Sequence, residues 1–174
     1  MADSASQHPV VVLIGAPGAG KSRIGRRVAK LLDVPFVDTD KRIVASHGPI
    51  TAIFAEHGEA HFRVLEREQV ALALQERAVV SLGGGAVLDV DTREDLGPLT
   101  VAQLSVSEEA LAGRNLGAKR PLLANGIESW RQLVAVRAPI YDALADRTFD
   151  TSAIPAERVA EQLADWLRRD ATND

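Results

Sequence analysis

Eight consecutive residues, Gly15-Ala-Pro-Gly-Ala-Gly-Lys-Ser22, follow the spacing G-x-x-x-x-G-K-[ST] in full. Glycines so spaced, here including Gly18 and Gly20, let backbone N–H groups curl around a polyanion, and a helix start adds its positive dipole end. Lys21 then reaches the outer phosphates, and the Ser22 hydroxyl is a hard oxygen ligand suited to Mg²⁺. The pattern has this meaning only between a strand and a helix. Val10-Val-Val-Leu-Ile14 before it is a continuous apolar run, as a strand covered on both faces requires. After it, apolar residues recur at helical spacing while Arg26, Arg27 and Lys30 turn outward. The eight residues read as a nucleoside-triphosphate site. The D-x-x-G and N-K-x-D strings of GTP-binding proteins are both absent, which makes ATP the better donor.

Candidates for an acceptor site lie further along. Asp38-Thr-Asp40 ends a second strand, where ligands of open α/β sheets sit. One carboxylate could organise Mg²⁺ through water and the other hold or deprotonate a hydroxyl; an Asx turn capping the next helix explains the same residues without a ligand. Arg63 is flanked by Glu59 and Glu66 at helical i−4 and i+3 spacing. Either these are surface ion pairs, or the glutamates orient a planar guanidinium toward a substrate carboxylate. Gly83-Gly-Gly85 lets backbone approach a ligand closely or is a plain turn. Arg137, in Arg137-Ala-Pro-Ile-Tyr141, is a second anion anchor or a solvated helix residue. His57 and His61 stand i, i+4, but His57-Gly-Glu-Ala-His61 fits neither zinc-protease spacing, and they read as solvated. Trp130 and Trp166 read as packing residues.

The elements that must carry these groups alternate short β-branched runs with helical segments, the signature of α/β architecture. Further strands are expected at Pro35–Asp38, Ala78–Leu82, Val101–Leu104 and Arg147–Asp150. Ile50 to Glu76 reads as largely helical with a break at Gly58, its apolar face including Phe62, Leu65, Val70 and Leu72. The last helix is expected to open with Pro155 at its first position. Residues 114–125, rich in Gly, Lys and Arg and poor in apolar periodicity, read as a mobile loop. A single domain is expected over 9–169, with disordered tails at 1–8 and 170–174.

Of 174 residues, 46% are hydrophobic and 25% charged, ordinary for one folded domain. No cysteine is present, so disulfides, thiolate metal sites and cysteine nucleophiles are excluded. A net charge of −4 disfavours nucleic acid or an anionic membrane as partner. The polar start lacks a basic region before the apolar run, and that run is far below the roughly 20 residues of a membrane helix. The cytoplasm is the expected location.

In their order along the chain these strings resemble the shikimate kinase family: Gly15–Ser22, Asp38-Thr-Asp40, Gly58-Glu59 with Phe62-Arg63 and Glu66, Ser81-Leu-Gly-Gly-Gly85, Arg120-Pro-Leu-Leu123 and Arg137-Ala-Pro-Ile-Tyr141. The resemblance implies a P-loop kinase of the nucleoside-monophosphate-kinase type. Its fold would be a three-layer α/β domain whose five-stranded parallel sheet has the order 2-3-1-4-5, with a mobile lid over 114–125. It implies transfer of the ATP γ-phosphoryl group to the 3-hydroxyl of shikimate, with Mg²⁺, by a monomer. Lys21, Asp40 and Arg120 would be catalytic. Gly18, Ala19, Gly20, Lys21, Ser22, Arg23, Arg114, Arg120 and Pro155 would meet ATP. Asp40, Arg63, Gly84, Gly85 and Arg137 would hold shikimate, and Ser22 and, through water, Asp38 would serve Mg²⁺. The sequence departs from the family pattern at Arg23, where relatives usually carry Thr, in a shorter Arg114–Arg120 stretch, and in Ser152-Ala-Ile154, which lacks a basic residue. A kinase for another small polyol acid, such as gluconate, would share the P-loop. So would an inactive ATP-binding regulatory relative.

Overall fold

The computed structural model describes residues 7–114 and 126–172. Five strands form one parallel sheet in the order β2-β3-β1-β4-β5: β1 Val11–Ile14, β2 Phe36–Asp38, β3 Val79–Ser81, β4 Val101–Ser105 and β5 Arg147–Asp150. The seven helices of the described residues are α1 Lys21–Leu32, α2 Thr39–His47, α3 Ile50–Ala73, α4 Val90–Leu96, α5 Glu108–Ala112, α6 Ile127–Leu144 and α7 Ala156–Asp170, with a 3₁₀ turn at Ala86–Leu88.

Every residue of β1 is buried, and the two-residue period of a strand explains how. Val11 and Leu13 face one core with Ile24 and Val28 of α1 and Val159, Leu163 and Leu167 of α7. Val12 and Ile14 face the other, with Val70 of α3, Leu96 of α4 and Tyr141 of α6. A parallel strand covered on both faces must be apolar throughout, and β1 meets this with Val, Leu and Ile, whereas the edge strand β5 buries only Phe149.

Two glycines set the path of the site backbone. Gly15 leaves β1 at φ +141°, and a Cβ there would fall 2.1 Å from the Leu104 carbonyl oxygen of β4. Only glycine fits beside that neighbouring backbone. Gly58, at φ +82°, interrupts α3 as expected, so Phe62 and Leu65 of the second segment pack with Ile43 of α2 and Ile53 of the first.

Some expectations are corrected. Leu72 is 53% exposed; Val70 and Ala73 turn inward, and at 100° per residue Leu72 diverges from both. Pro155 precedes α7 rather than opening it. Its ψ of 143° is extended, and its carbonyl accepts the first helical bonds from Arg158 and Val159. The short α4 and α5 were not expected. Asp89 caps the first and Ser107 the second by accepting from the backbone N–H three residues on.

Candidate active site

The phosphate loop crosses the carboxyl end of β1 and delivers Lys21 and Ser22 to the first turn of α1, with Gly20 in the left-handed region at φ +88°. The Lys21 ammonium donates to the carbonyl oxygens of Gly15 at 2.7 Å and Ala16 at 3.2 Å. Ser22 Oγ donates to Asp38 Oδ2 at 2.5 Å. Asp38 does two things at once, because β2 ends on it and α2 starts after it: its Oδ1 accepts from the Lys41 N–H at 3.2 Å as a helix cap. The two readings of Asp38-Thr-Asp40 are therefore compatible. The chain turns between the carboxylates, putting Asp40 in the first turn of α2. Thr39 between them is fully buried; its hydroxyl lies 3.4 Å from the Ser81 carbonyl and 3.4 Å from the Gly83 N–H, tying this corner to the end of β3.

Beyond the phosphate loop, Asp40, Arg63, Glu66, Gly83–Gly85 and Arg137 line one cavity of about 520 Å³ together with Lys21, Ser22 and Asp38. The triple glycine is what allows this convergence. A Cβ on Gly83 would lie 2.6 Å from Asp40 Oδ1 and 3.0 Å from Glu66 Oε2, and one on Gly85 would lie 2.4 Å from the Arg63 guanidinium. Arg63 donates to Glu66 at 2.6 Å and to Glu59 at 3.1 Å. Burial works against the Arg63 charge, yet Glu66 and Glu59 hold its pKa above the usual guanidinium value. Burial pushes the Glu66 carboxyl up, with Arg63 pulling it back. Arg137, 4% exposed, is no solvated helix residue. Phe54, Phe62, Ile50 and Val44 give the same cavity an apolar wall. A planar guanidinium pair beside carboxylates and backbone amides can fix a small anion that also carries hydroxyls.

A second cavity of about 520 Å³ opens on the other side of the loop, lined by Gly18, Ala19, Gly20, Arg23, Arg114, Pro155 and Glu157 among others. Arg114 bridges its walls, donating to the carbonyls of Gly18 at 2.5 Å and Thr151 at 2.6 Å. The buried Thr151 hydroxyl lies 3.0 Å from both the Ala19 and Ser105 carbonyls. Arg23 sits 3.5 Å from Glu157, which pairs more closely with Arg27 at 2.6 Å. Arg120 and the rest of the expected lid, 115–125, lie outside the described residues.

Sequence reasoning missed three contacts here. Trp130 packs on Ala16 and Leu111 as expected, but its indole N–H also donates to the Pro17 carbonyl at 2.9 Å. Thr151 and Tyr141 are buried hydroxyls spent on backbone carbonyls, a role that only the tertiary arrangement reveals. The His57 and His61 rings lie tilted against each other, their centroids 4.8 Å apart, on the exposed face of α3. Among the described residues no group of three or more metal-binding side chains gathers, and no helix is long and apolar enough to cross a membrane.

Comparison with known proteins agrees with this geometry. The family model described as shikimate kinase matches residues 17–168. A shikimate kinase of Salinispora tropica is 49% identical over 163 residues, which span 91% of this chain and 98% of the relative. The solved shikimate kinase of Acinetobacter baumannii in complex with shikimate superposes with a TM-score of 0.87 at 31% identity, covering 94% of each chain. A gluconokinase of Sinorhizobium meliloti, with a TM-score of 0.56 and 22% identity over 94% of this chain and 93% of its own, shares the fold alone. A sheet in the order 2-3-1-4-5, a complete phosphate loop and a match over most of the length converge on one conclusion: the chain belongs to the shikimate kinase family.

Proposed function

We propose that this chain transfers the γ-phosphoryl group of ATP to the 3-hydroxyl of shikimate, giving shikimate 3-phosphate and ADP. The observation that carries the reading is the acceptor cavity, where Asp40 and two guanidiniums, Arg63 and Arg137, converge beside the phosphate loop. Shikimate is a carboxylate bearing ring hydroxyls, and that donor and acceptor set matches it group by group. Arg63, Arg137 and the Gly84–Gly85 backbone hold the ring and carboxylate, and Asp40 takes the hydroxyls. Gly18, Ala19, Gly20, Arg23, Arg114 and Pro155 receive the nucleotide.

Phosphoryl transfer asks for alignment and charge neutralisation more than for covalent help from the protein. Lys21 bears on the charge of the transferring group. Asp40 orients the attacking hydroxyl and accepts its proton. Arg120 is assigned by its motif to the same charge. The fit of Mg²⁺ rests on Ser22 Oγ and Asp38 Oδ2, two hard oxygens 2.5 Å apart; this ion keeps much of its water and takes few protein ligands. Ser22 would bind it directly and Asp38 through water, supplying neutralisation of the phosphate oxygens. Membership of the family supports a monomer as the working unit, and ATP dependence supports the cytoplasm as its location.

A coupled assay of ADP release with shikimate, quinate, gluconate and no acceptor tests the reading. Turnover with shikimate far above the other three is expected. Gluconate as the preferred acceptor, or ADP release indifferent to acceptor, would replace it.

A further inference from the structure

The Gly83-Gly-Gly85 turn has one polar atom anchored away from the acceptor cavity. The Gly84 carbonyl accepts from the Tyr141 hydroxyl at 2.5 Å. Tyr141 is 2% exposed and packs with Val12, Ile14 and Val80 behind the turn, whereas Gly83, Gly84 and Gly85 themselves line the cavity. No peptide bond among the described residues is cis. In a planar trans peptide the C=O and the following N–H point to opposite sides, so a carbonyl drawn into the core turns the Gly85 N–H toward the cavity.

The turn has no side chains with which to hold itself. A Cβ on Gly84 would meet Pro17 Cδ at 3.1 Å and the Arg137 guanidinium at 3.4 Å, and one on Gly85 would collide with Arg63. Its ends are held by neighbours, the Gly83 N–H by the Thr39 hydroxyl and the Gly83 and Gly85 carbonyls by the N–H groups of Ala86 and Leu88, while the Gly84 carbonyl between them is held by Tyr141. Burial pushes the phenol up to about 12, with Arg137, one helical turn earlier, pulling the other way through its charge and its hydrogen bond to the hydroxyl; the hydroxyl is a donor at neutral pH.

We propose that Tyr141 is a positioning residue for the acceptor: by fixing the Gly84 carbonyl it aims the Gly85 N–H at an oxygen of the bound acid, setting acceptor affinity without touching the acceptor. The inference rests on shikimate as the acceptor. Tyr141→Phe deletes one oxygen and keeps the ring. Its Kd and KM for shikimate should rise about tenfold, as for loss of one buried hydrogen bond, while kcat at saturating shikimate and KM for ATP stay within about twofold. Shikimate affinity within about twofold of wild type, or parallel loss of ATP and shikimate affinity, would overturn it.

Tyr141 is the chain's one tyrosine, so replacing tyrosine by 3-fluorotyrosine reports this position alone and serves even if the Phe variant does not fold. Its ¹⁹F resonance should move on titration with shikimate and much less with a non-hydrolysable ATP analogue; a resonance blind to shikimate would overturn the proposal. The two failures are distinguishable. A wild type without shikimate-dependent ADP release refutes the substrate assignment, whereas an active wild type with an unaffected Tyr141→Phe refutes only the role of Tyr141.

Discussion

Lys21 and the two cavity arginines meet different opponents, and the difference predicts different kinetic losses. The Lys21 ammonium rests on two neutral carbonyl oxygens among its contacts, dipoles that the full negative charges of a triphosphate outcompete. Lys21→Ala should leave the fold intact and lower turnover by about 10²–10³, the cost of removing one aligned electrostatic contact. Steady-state kinetics with a folded-state check by circular dichroism decides this, and near-wild-type turnover would remove Lys21 from the chemistry. Arg63 and Arg137 lie on the acceptor side, one braced by Glu66 and Glu59 and the other buried. Truncating either leaves a desolvated carboxylate short of a partner, at a cost of about 2–5 kcal/mol. Calorimetry on the two Ala variants should show shikimate affinity falling far more than ATP affinity; unchanged shikimate affinity would make both arginines structural.

At the scale of elements, what was legible in the sequence follows from how local each signal is. The central strands announced themselves because a doubly covered parallel strand must be apolar, whereas β5, Arg147-Thr-Phe-Asp150 with Phe149 alone buried, gave a weaker signal; the break at Gly58 showed because a positive φ favours glycine. The phosphate loop was legible because its function is written in contiguous backbone. Arg137 stayed ambiguous between anchor and solvated residue, since one-helix periodicity does not say what lies across the cavity. Trp130, Tyr141 and Thr151 read as packing or not at all, because their polar ends meet carbonyls 113, 57 and 132 positions away. Arg42 and Glu76 show the same limit. They lie 34 positions apart, yet their side chains form a two-pronged pair at 2.5 and 2.8 Å that fastens α2, and hence Asp40, to the turn after α3. Both are over a third exposed or close to it, at 35% and 40%, so the pair contributes only about 0.2–1 kcal/mol. Its pH dependence has a definite sign. The hydrogen bond from Arg42 holds the Glu76 carboxyl below its ordinary value, so the stabilisation is present above the unfolded-state pKa and is lost as pH falls through the folded-state one. Urea unfolding of Glu76→Gln should show a small deficit at neutral pH that closes in acid; a deficit that widens in acid would contradict this.

Over the whole molecule the phosphate loop is a partition between two rooms of similar size, each about 520 Å³. Gly18, Gly20 and Arg23 border both. Beyond the loop and α1, each room is built on different parts of the chain: α2, α3, α6 and the glycine turn enclose the acceptor side, while Arg114, the segment from Thr151 to Pro155 and the start of α7 enclose the other. The loop itself is clamped from both directions, by Trp130 of α6 on Pro17 and by Arg114 after α5 on Gly18. A partition fixed on both sides sets the distance between the two bound reactants before either arrives, which is the entropic part of catalysis. That geometry predicts that one molecule can occupy both rooms. Adenosine joined through an oligophosphate chain to the 3-oxygen of shikimate should bind more tightly than ATP or shikimate alone by about 10²–10⁴, since the second contact is made at high effective concentration. The gain should peak at one chain length and fall on either side of it. Arg63→Ala should weaken the conjugate while leaving ATP affinity unchanged, because only the acceptor end reaches that guanidinium. Calorimetry across a series of chain lengths supplies the test. A conjugate that binds no better than ATP at every length, or one indifferent to Arg63→Ala, would mean that the two cavities do not serve one reaction.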